Sequence, residues 1–134
     1  MKVETFTPAG VMKPIGPYSH VARAGPFVTI SATAAVDPAT GEVAAPDAYA
    51  QTRHILKAFR TLLEIARSGI PQVLHVRVYL KHMEDFDDMN RAYAEEMGEH
   101  RPARTVIGVS DLPKKGARLT ISLDAVVNEV TREL

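Results

Sequence analysis

Cysteine is missing from all 134 residues. Its absence excludes disulfides, thiolate metal sites and cysteine nucleophiles, and it suits a reducing cytoplasm. Net charge is missing too, because 16 basic residues balance 16 acidic ones. A neutral chain has no general field to draw it along nucleic acid or an anionic membrane, so neither is expected as a partner. No apolar run approaches the ~20 residues of a membrane span. Met1 to Gly10 lacks a basic region followed by an apolar core, so no secretory signal is read there. The expectation is a soluble, cytoplasmic protein. Apolar residues make up 46% and charged ones 24%, a globular balance that fits a single domain over residues 1–134.

Periodicity supplies the elements. Residues 1–17 hold Pro8, Pro14 and Pro17 with Gly10 and Gly16, and they read as an irregular arm. Two short strands are expected at His20–Ala24 and Phe27–Ala32, joined at Gly25-Pro26. Asp37-Pro38-Ala39-Thr40-Gly41 is a turn: proline presets φ and glycine accepts a left-handed end. Pro46 suits a first helical position. From Asp47, the residues Ala48, Ile55, Leu56, Phe59, Leu62, Leu63 and Ala66 recur on one helical face, and Ser68-Gly69 is expected to close that helix.

Val73–Leu80 alternates, with Leu74, Val76, Val78 and Leu80 on one face and His75, Arg77 and Tyr79 on the other. Glu84, Asp85, Asp87 and Asp88 favour the N-terminal end of a second helix, whose buried stripe is Phe86, Met89, Tyr93 and Met97 and whose end is Gly98. Met83, Met89 and Met97 read as core filling. Strands near Ala103–Val109 and Arg118–Val127 complete the order strand, strand, helix, strand, helix, strand, strand. Two amphipathic helices cover one face of such a sheet. The other face, with His75, Arg77, Tyr79, Thr120, Ser122 and Asp124, is left for water or another subunit.

For chemistry, the five histidines show no i,i+2 strand pair or i,i+4 helix pair, so no metal site is expected. Ser19 and Ser31 lack a nucleophile elbow. Arg104 is different in kind. It opens an apolar β-type run just after Pro102, and its planar, permanently charged fork suits a carboxylate or phosphate, although position alone favours the plainer reading of a surface arginine on a strand edge.

Six stretches in order then resemble one family. They are Ile15-Gly16-Pro17-Tyr18-Ser19; Val28–Thr33; Asp37–Val43; Gln51-Thr52-Arg53 with Ile55-Leu56; Asn90 with Tyr93; and Pro102-Ala103-Arg104-Thr105 followed by Leu112-Pro113. Together they are similar to the RidA (YjgF, reactive-intermediate deaminase) family, from Pro14 to Val127.

The resemblance implies a chorismate-mutase-like α+β fold, a mixed sheet with two helices on one face, assembled as a homotrimer with a central barrel and ligand clefts between subunits. It implies hydrolysis of enamine or imine acids of the 2-aminoacrylate type to 2-keto acids and ammonia, with no cofactor and no metal. The substrate carboxylate falls to Arg104, catalytic roles to Arg104, Tyr18 and Ser122, and binding to Ser31 with the backbone at Ala32 and Val106. Two positions depart from the pattern. Val106 stands where a cysteine is usual, and Ser122 stands where the family carries a glutamate. A hydroxyl holds a water but is a poor general base, so a trimer that binds small carboxylates with little or no turnover is the alternative. Ribonuclease action, attached to some relatives, draws little support from a neutral chain without an aromatic-basic groove.

Overall fold

In a computed structural model, which describes residues 1–128, the strands are β1 (Val3–Phe6), β2 (Val21–Ala24), β3 (Phe27–Thr33), β4 (Val73–Leu80), β5 (Ala103–Gly108) and β6 (Leu119–Val126), with helices α1 (Ala48–Ile65) and α2 (Phe86–Met97). The six strands form one sheet in the order β1-β2-β3-β6-β4-β5. Only β4 and β5 run parallel; the other neighbours are antiparallel. The connection between the parallel pair is α2, as a crossover requires. Both helices bury their apolar stripes against one side of the sheet. Ile55, Phe59, Leu62, Met89 and Met97 share a single core with Ile30, Val76, Val78, Ile121 and Leu123. The expected mixed α+β architecture is therefore present.

The N-terminal arm departs from expectation, because it contains β1. Four residues are too few to show a period, and this strand is held by its partner β2 instead. Arg23 of β2 lies 5.8 Å from the Phe6 ring centre and 3.5 Å from the Glu4 carboxylate. The turn after β3 forms as its chemistry demands. Asp37 Oδ1 accepts from Ala39 N at 2.8 Å, and Gly41 closes the loop at φ 75°.

The ends of α1 differ from the expected ones by a residue or two. Asp47 is the N-cap, its carboxylate accepting from Ala50 N at 2.8 Å, so Pro46 lies outside the helix rather than in its first turn. At the other end the left-handed residue is Arg67 at φ 63°, not Gly69. Arg67 N donates to Glu64 O and Ser68 N to Leu63 O, the paired bonds of a Schellman ending. In β4 the register shifts between Val73 and His75. That bulge turns Val73 into the core and leaves Leu74 48% exposed, against the simple alternation. Met83 is also outside the core, 52% exposed in a 3₁₀ turn (Met83–Asp85) that runs into α2 out of phase with its stripe.

Asp85 does more than favour a helix start. It is buried and takes both Nε and NH2 of Arg118, at 2.8 and 3.2 Å. Gln51, fully buried on α1, completes the same corner. Its amide donates to Ala45 O and Gly116 O, and its oxygen accepts from Arg118 N. These bonds fix the loop between β5 and β6 against the start of α1. No described helix is long and apolar enough to cross a membrane.

Candidate active site

Apart from Ser122, the residues singled out in the sequence fall into two places. The first is a cavity of about 490 Å³ lined by Met12, Ile15, Tyr18, Ser31, Ala32, Ala34, Pro113, Lys114 and Thr120. One of its walls is the irregular part of β3. Its register against β6 shifts between Ile30 and Thr33, so Ser31 and Ala32 have no paired residue on β6. Ser31 is tied down instead by its N–H to His20 O at 2.9 Å and its Oγ to Ser19 O at 2.7 Å. A bulge beside a cavity re-aims side chain and backbone at the cost of ladder bonds.

Tyr18 stands over this cavity, edge-on to His20 with ring centres 6.0 Å apart, and its hydroxyl accepts from Ile15 N at 3.4 Å. His20 is fully buried. Its Nε2 is hydrogen-bonded to Met12 O, so one imidazole holds the strap that carries Met12, Ile15 and Tyr18. His20 Nδ1 has no partner among the described residues. Lys114 is the charged member of the lining, and no carboxylate lines the cavity.

The second place surrounds Arg104. Its NH1 donates to Asn90 Oδ1 at 2.7 Å, and its guanidinium carbon lies 4.7 Å from the Tyr93 ring centre and 5.9 Å from that of Phe86. The amide and the rings orient the fork and leave the remaining donors available, since no carboxylate pairs with Arg104 among the described residues. A small cleft of about 240 Å³ is lined by Arg104 with Asn90, Tyr93, Ala94, Arg101 and Pro102. Burial pushes the Tyr93 phenol up, partly opposed by Arg104 and Arg101, so its hydroxyl, which has no partner among the described residues, stays neutral near pH 7. Val106 lies two residues along β5, packed at the edge of the main core.

Within one chain these two places do not meet. Arg104 is on the edge strand β5, and β4 and β6 separate it from Ser31 and Ala32 on β3. Three strand spacings put the two strands about 14 Å apart. They also use opposite sides of the sheet, since Arg104 touches α2, while Thr120 alternates with the core residues Leu119 and Ile121.

Ser122 lies in neither cavity. Its Oγ accepts from Arg77 Nε at 3.0 Å. Asp124 is likewise engaged, taking NH1 and NH2 of Arg77 at 2.7 and 3.2 Å and the Thr29 hydroxyl at 2.7 Å. The β6 residue that reaches the Tyr18 cavity is Thr120. Sequence reading placed Thr120 on the polar face without a role; its signal was the i,i+2 spacing from Ser122. No group of three or more His, Asp or Glu among the described residues could hold a metal ion.

Comparison with known proteins identifies the scaffold. Residues 9–127 match the family described as Endoribonuclease L-PSP. A RutC family protein of Pyrococcus horikoshii is 46% identical over 114 residues, covering 85% of this chain and 90% of that protein. The 3-aminoacrylate deaminase RutC of Acinetobacter baylyi is 32% identical over 122 residues, covering 91% and 96%. Among solved structures, RidA of an Antarctic Psychrobacter superposes with a TM-score of 0.87 at 26% identity, covering 92% of this chain and 99% of that one. The YjgF gene product of E. coli gives a TM-score of 0.82 at 29% identity, covering 92% and 98%. With the match running through the Tyr18 cavity and Arg104 alike, the chain belongs to the endoribonuclease L-PSP family, that of the RidA, YjgF and RutC proteins.

Proposed function

We propose that the protein is a hydrolytic deaminase of enamine or imine acids, releasing 2-keto acids and ammonia, and that it works as a homotrimer. In this reading Arg104 of one copy holds the substrate carboxylate beside the Tyr18, Ser31, Ala32 and Thr120 cavity of the next. The observation that carries it is Arg104 itself. The guanidinium is oriented by Asn90 and Tyr93, carries no carboxylate partner among the described residues, and sits on an open sheet edge. A 3-aminoacrylate deaminase among the relatives supports the reaction class.

The chemistry asks little of the protein. Charge-assisted bonds from Arg104 to a carboxylate contribute roughly 1.5–3 kcal/mol each when shielded from water. Imines hydrolyse readily, so holding the imine carbon near a water and assisting one proton transfer are sufficient. The hydroxyls of Tyr18, Ser31 and Thr120 are the groups available to position that water.

The test is keto-acid release when the protein is mixed with an enzyme that generates 2-aminoacrylate. Arg104→Ala should lower kcat/KM by about 100-fold, the usual scale for removing one partner of a shielded charge pair. A rate no faster than buffer, with the assembly intact, rejects the proposal. A second reading, a small-carboxylate binder without turnover, is favoured by the lack of any carboxylate lining the Tyr18 cavity and by the tie between Ser122 and Arg77. Calorimetry with 2-ketobutyrate separates the two, since binding lost in Arg104→Ala without any deaminase rate selects the binder. A rate gained in Ser122→Glu would mark a lapsed active site.

A further inference from the structure

The strap between β1 and β2 is held unlike the rest of the chain. Among the described residues, no backbone hydrogen bond ties residues 8–18 to a strand or a helix. The bonds this segment makes are local. Tyr18 N donates to Gly16 O at 2.9 Å, Ile15 N to the Tyr18 hydroxyl at 3.4 Å, and His20 Nε2 to Met12 O. Val11 and Met12 are buried and seat the first end of the strap, whereas residues 13–19 include no buried side chain. His20 and Met12 lie eight positions apart, so their bond closes the base of an Ω-type loop that carries Ile15 and Tyr18 at its exposed part. We propose that His20 is a positioning residue for the reaction: its bond to Met12 O sets this loop, and with it the Tyr18 hydroxyl, relative to Ser31. The inference rests on the deaminase reading for the reaction, and adds to it a residue that acts through Tyr18 and Ser31.

His20 reaches both of those residues. Its backbone oxygen accepts from Ser31 N at 2.9 Å, and the oxygen of its neighbour Ser19 accepts from Ser31 Oγ at 2.7 Å. Its ring meets the Tyr18 ring edge-on, with 6.0 Å between centres and 86° between planes. A shift of His20 therefore moves Tyr18 and Ser31 together. Pro14 and Pro17 fix φ at two points of the loop, so a bond at its base is carried through to Tyr18.

The choice of side chain points to the bond rather than to packing. His20 is fully buried, and its Nδ1 has no partner among the described residues. A hydrocarbon of similar size would fill the space without leaving a buried polar atom unpaired, so the core alone gives no reason for an imidazole. What the ring supplies is one donor. A carbonyl can only accept, so Nε2 carries the proton and Nδ1 is bare in the neutral ring.

Two variants separate positioning from folding. His20→Leu fills the space without a donor, and His20→Gln keeps an N–H at the same reach along the side chain. In His20→Leu, keto-acid release from 2-aminoacrylate should slow by about 10–100-fold, the scale of misplacing a reacting group by roughly 1 Å. Affinity for 2-ketobutyrate, read by calorimetry, should stay within ~3-fold, because Arg104 supplies the anchor. His20→Gln should restore most of the rate. An unchanged rate in His20→Leu, an equal loss in both variants, or affinity falling as far as the rate overturns the inference.

If the wild type hydrolyses no imine, the deaminase reading fails and the loop itself decides. Amide exchange at Tyr18 and Ser31 should then quicken by ~10-fold in His20→Leu, the scale of one lost hydrogen bond, and return to the wild-type rate in His20→Gln. Exchange that does not change overturns the role of His20 in the loop. Should His20→Leu fail to fold, nitrogen NMR of the wild-type imidazole takes its place. It must show Nε2 protonated and Nδ1 bare, and the opposite tautomer overturns the inference.

Discussion

At the scale of single residues, the chain places two arginines in demanding positions for opposite reasons. Arg104 is held by Asn90 and two aromatic rings and pairs with no carboxylate among the described residues, which suits the ligand role proposed for it. Arg67 serves nothing visible. It ends α1 in the left-handed region at φ 63°, where a Cβ crowds the following carbonyl, and its own side chain makes no ion pair among the described residues. Its backbone groups are what matter, donating to Glu64 O and accepting from Asn128 N. Glycine keeps those bonds and removes the steric penalty, at some cost in unfolded-chain entropy. Arg67→Gly is therefore expected to stabilise the protein by about 0.5–1 kcal/mol. Urea unfolding at constant m-value measures this directly, and a lowered midpoint would refute it.

At the scale of elements, the polar face of the sheet is knitted by one cluster across three strands. Arg77 of β4 holds Ser122 and Asp124 of β6, and Thr29 of β3 adds its hydroxyl to Asp124. The Arg77 hydrogen bonds hold the Asp124 carboxyl below its ordinary value, helped by Thr29 and opposed by burial. Because the folded value is the depressed one, the contribution is complete above about pH 4, the unfolded aspartate value, and is lost as pH falls through the folded value. The stability gap between wild type and Asp124→Asn should therefore be open at pH 7 and close below about pH 4. A gap independent of pH would show that the pair does not act through ionisation.

The elements themselves were largely legible in the sequence. The α1 stripe from Ala48 to Leu63 and the β6 alternation from Leu119 to Ala125 depend on local period, and local period is what a sequence displays. The exceptions are non-local. The β1 strand forms only because β2 is beside it, and Leu74 turns outward only because β4 and β6 fall out of step at Val73. The site divides in the same way. Family-like motifs picked out Tyr18, Ser31, Ala32 and Arg104, but only a bulge in β3 and the three-dimensional lining show that Thr120, rather than Ser122, shares the cavity with Tyr18.

At the scale of the whole molecule, both helices lie on the same side of the sheet, and part of its other side is open among the described residues. Away from the helices Val3, Phe27 and Leu74 are 60%, 57% and 48% exposed. All three line a shallow cavity of about 470 Å³ with Ala22, Ala24 and Ala125. An apolar strip of this kind is stable when another surface covers it. The proposed trimer supplies that surface and joins the Arg104 edge of one copy to the Tyr18 cavity of the next, which sit about 14 Å and a sheet face apart within one chain. Sedimentation should give three times the 14.6 kDa chain mass, and Phe27→Glu should dissociate it.

The stronger test is complementation. Arg104→Ala lacks the carboxylate anchor but keeps the cavity, and Thr120→Trp blocks the cavity but keeps the anchor. Each variant alone should be inactive. Unfolded together in equal amounts and refolded, they should regain roughly a quarter of the wild-type sites, since a random interface pairs an intact Arg104 with an open cavity one time in four. Activity that stays at the level of the separate variants, despite mixed trimers of the expected mass, would place the whole site inside one chain.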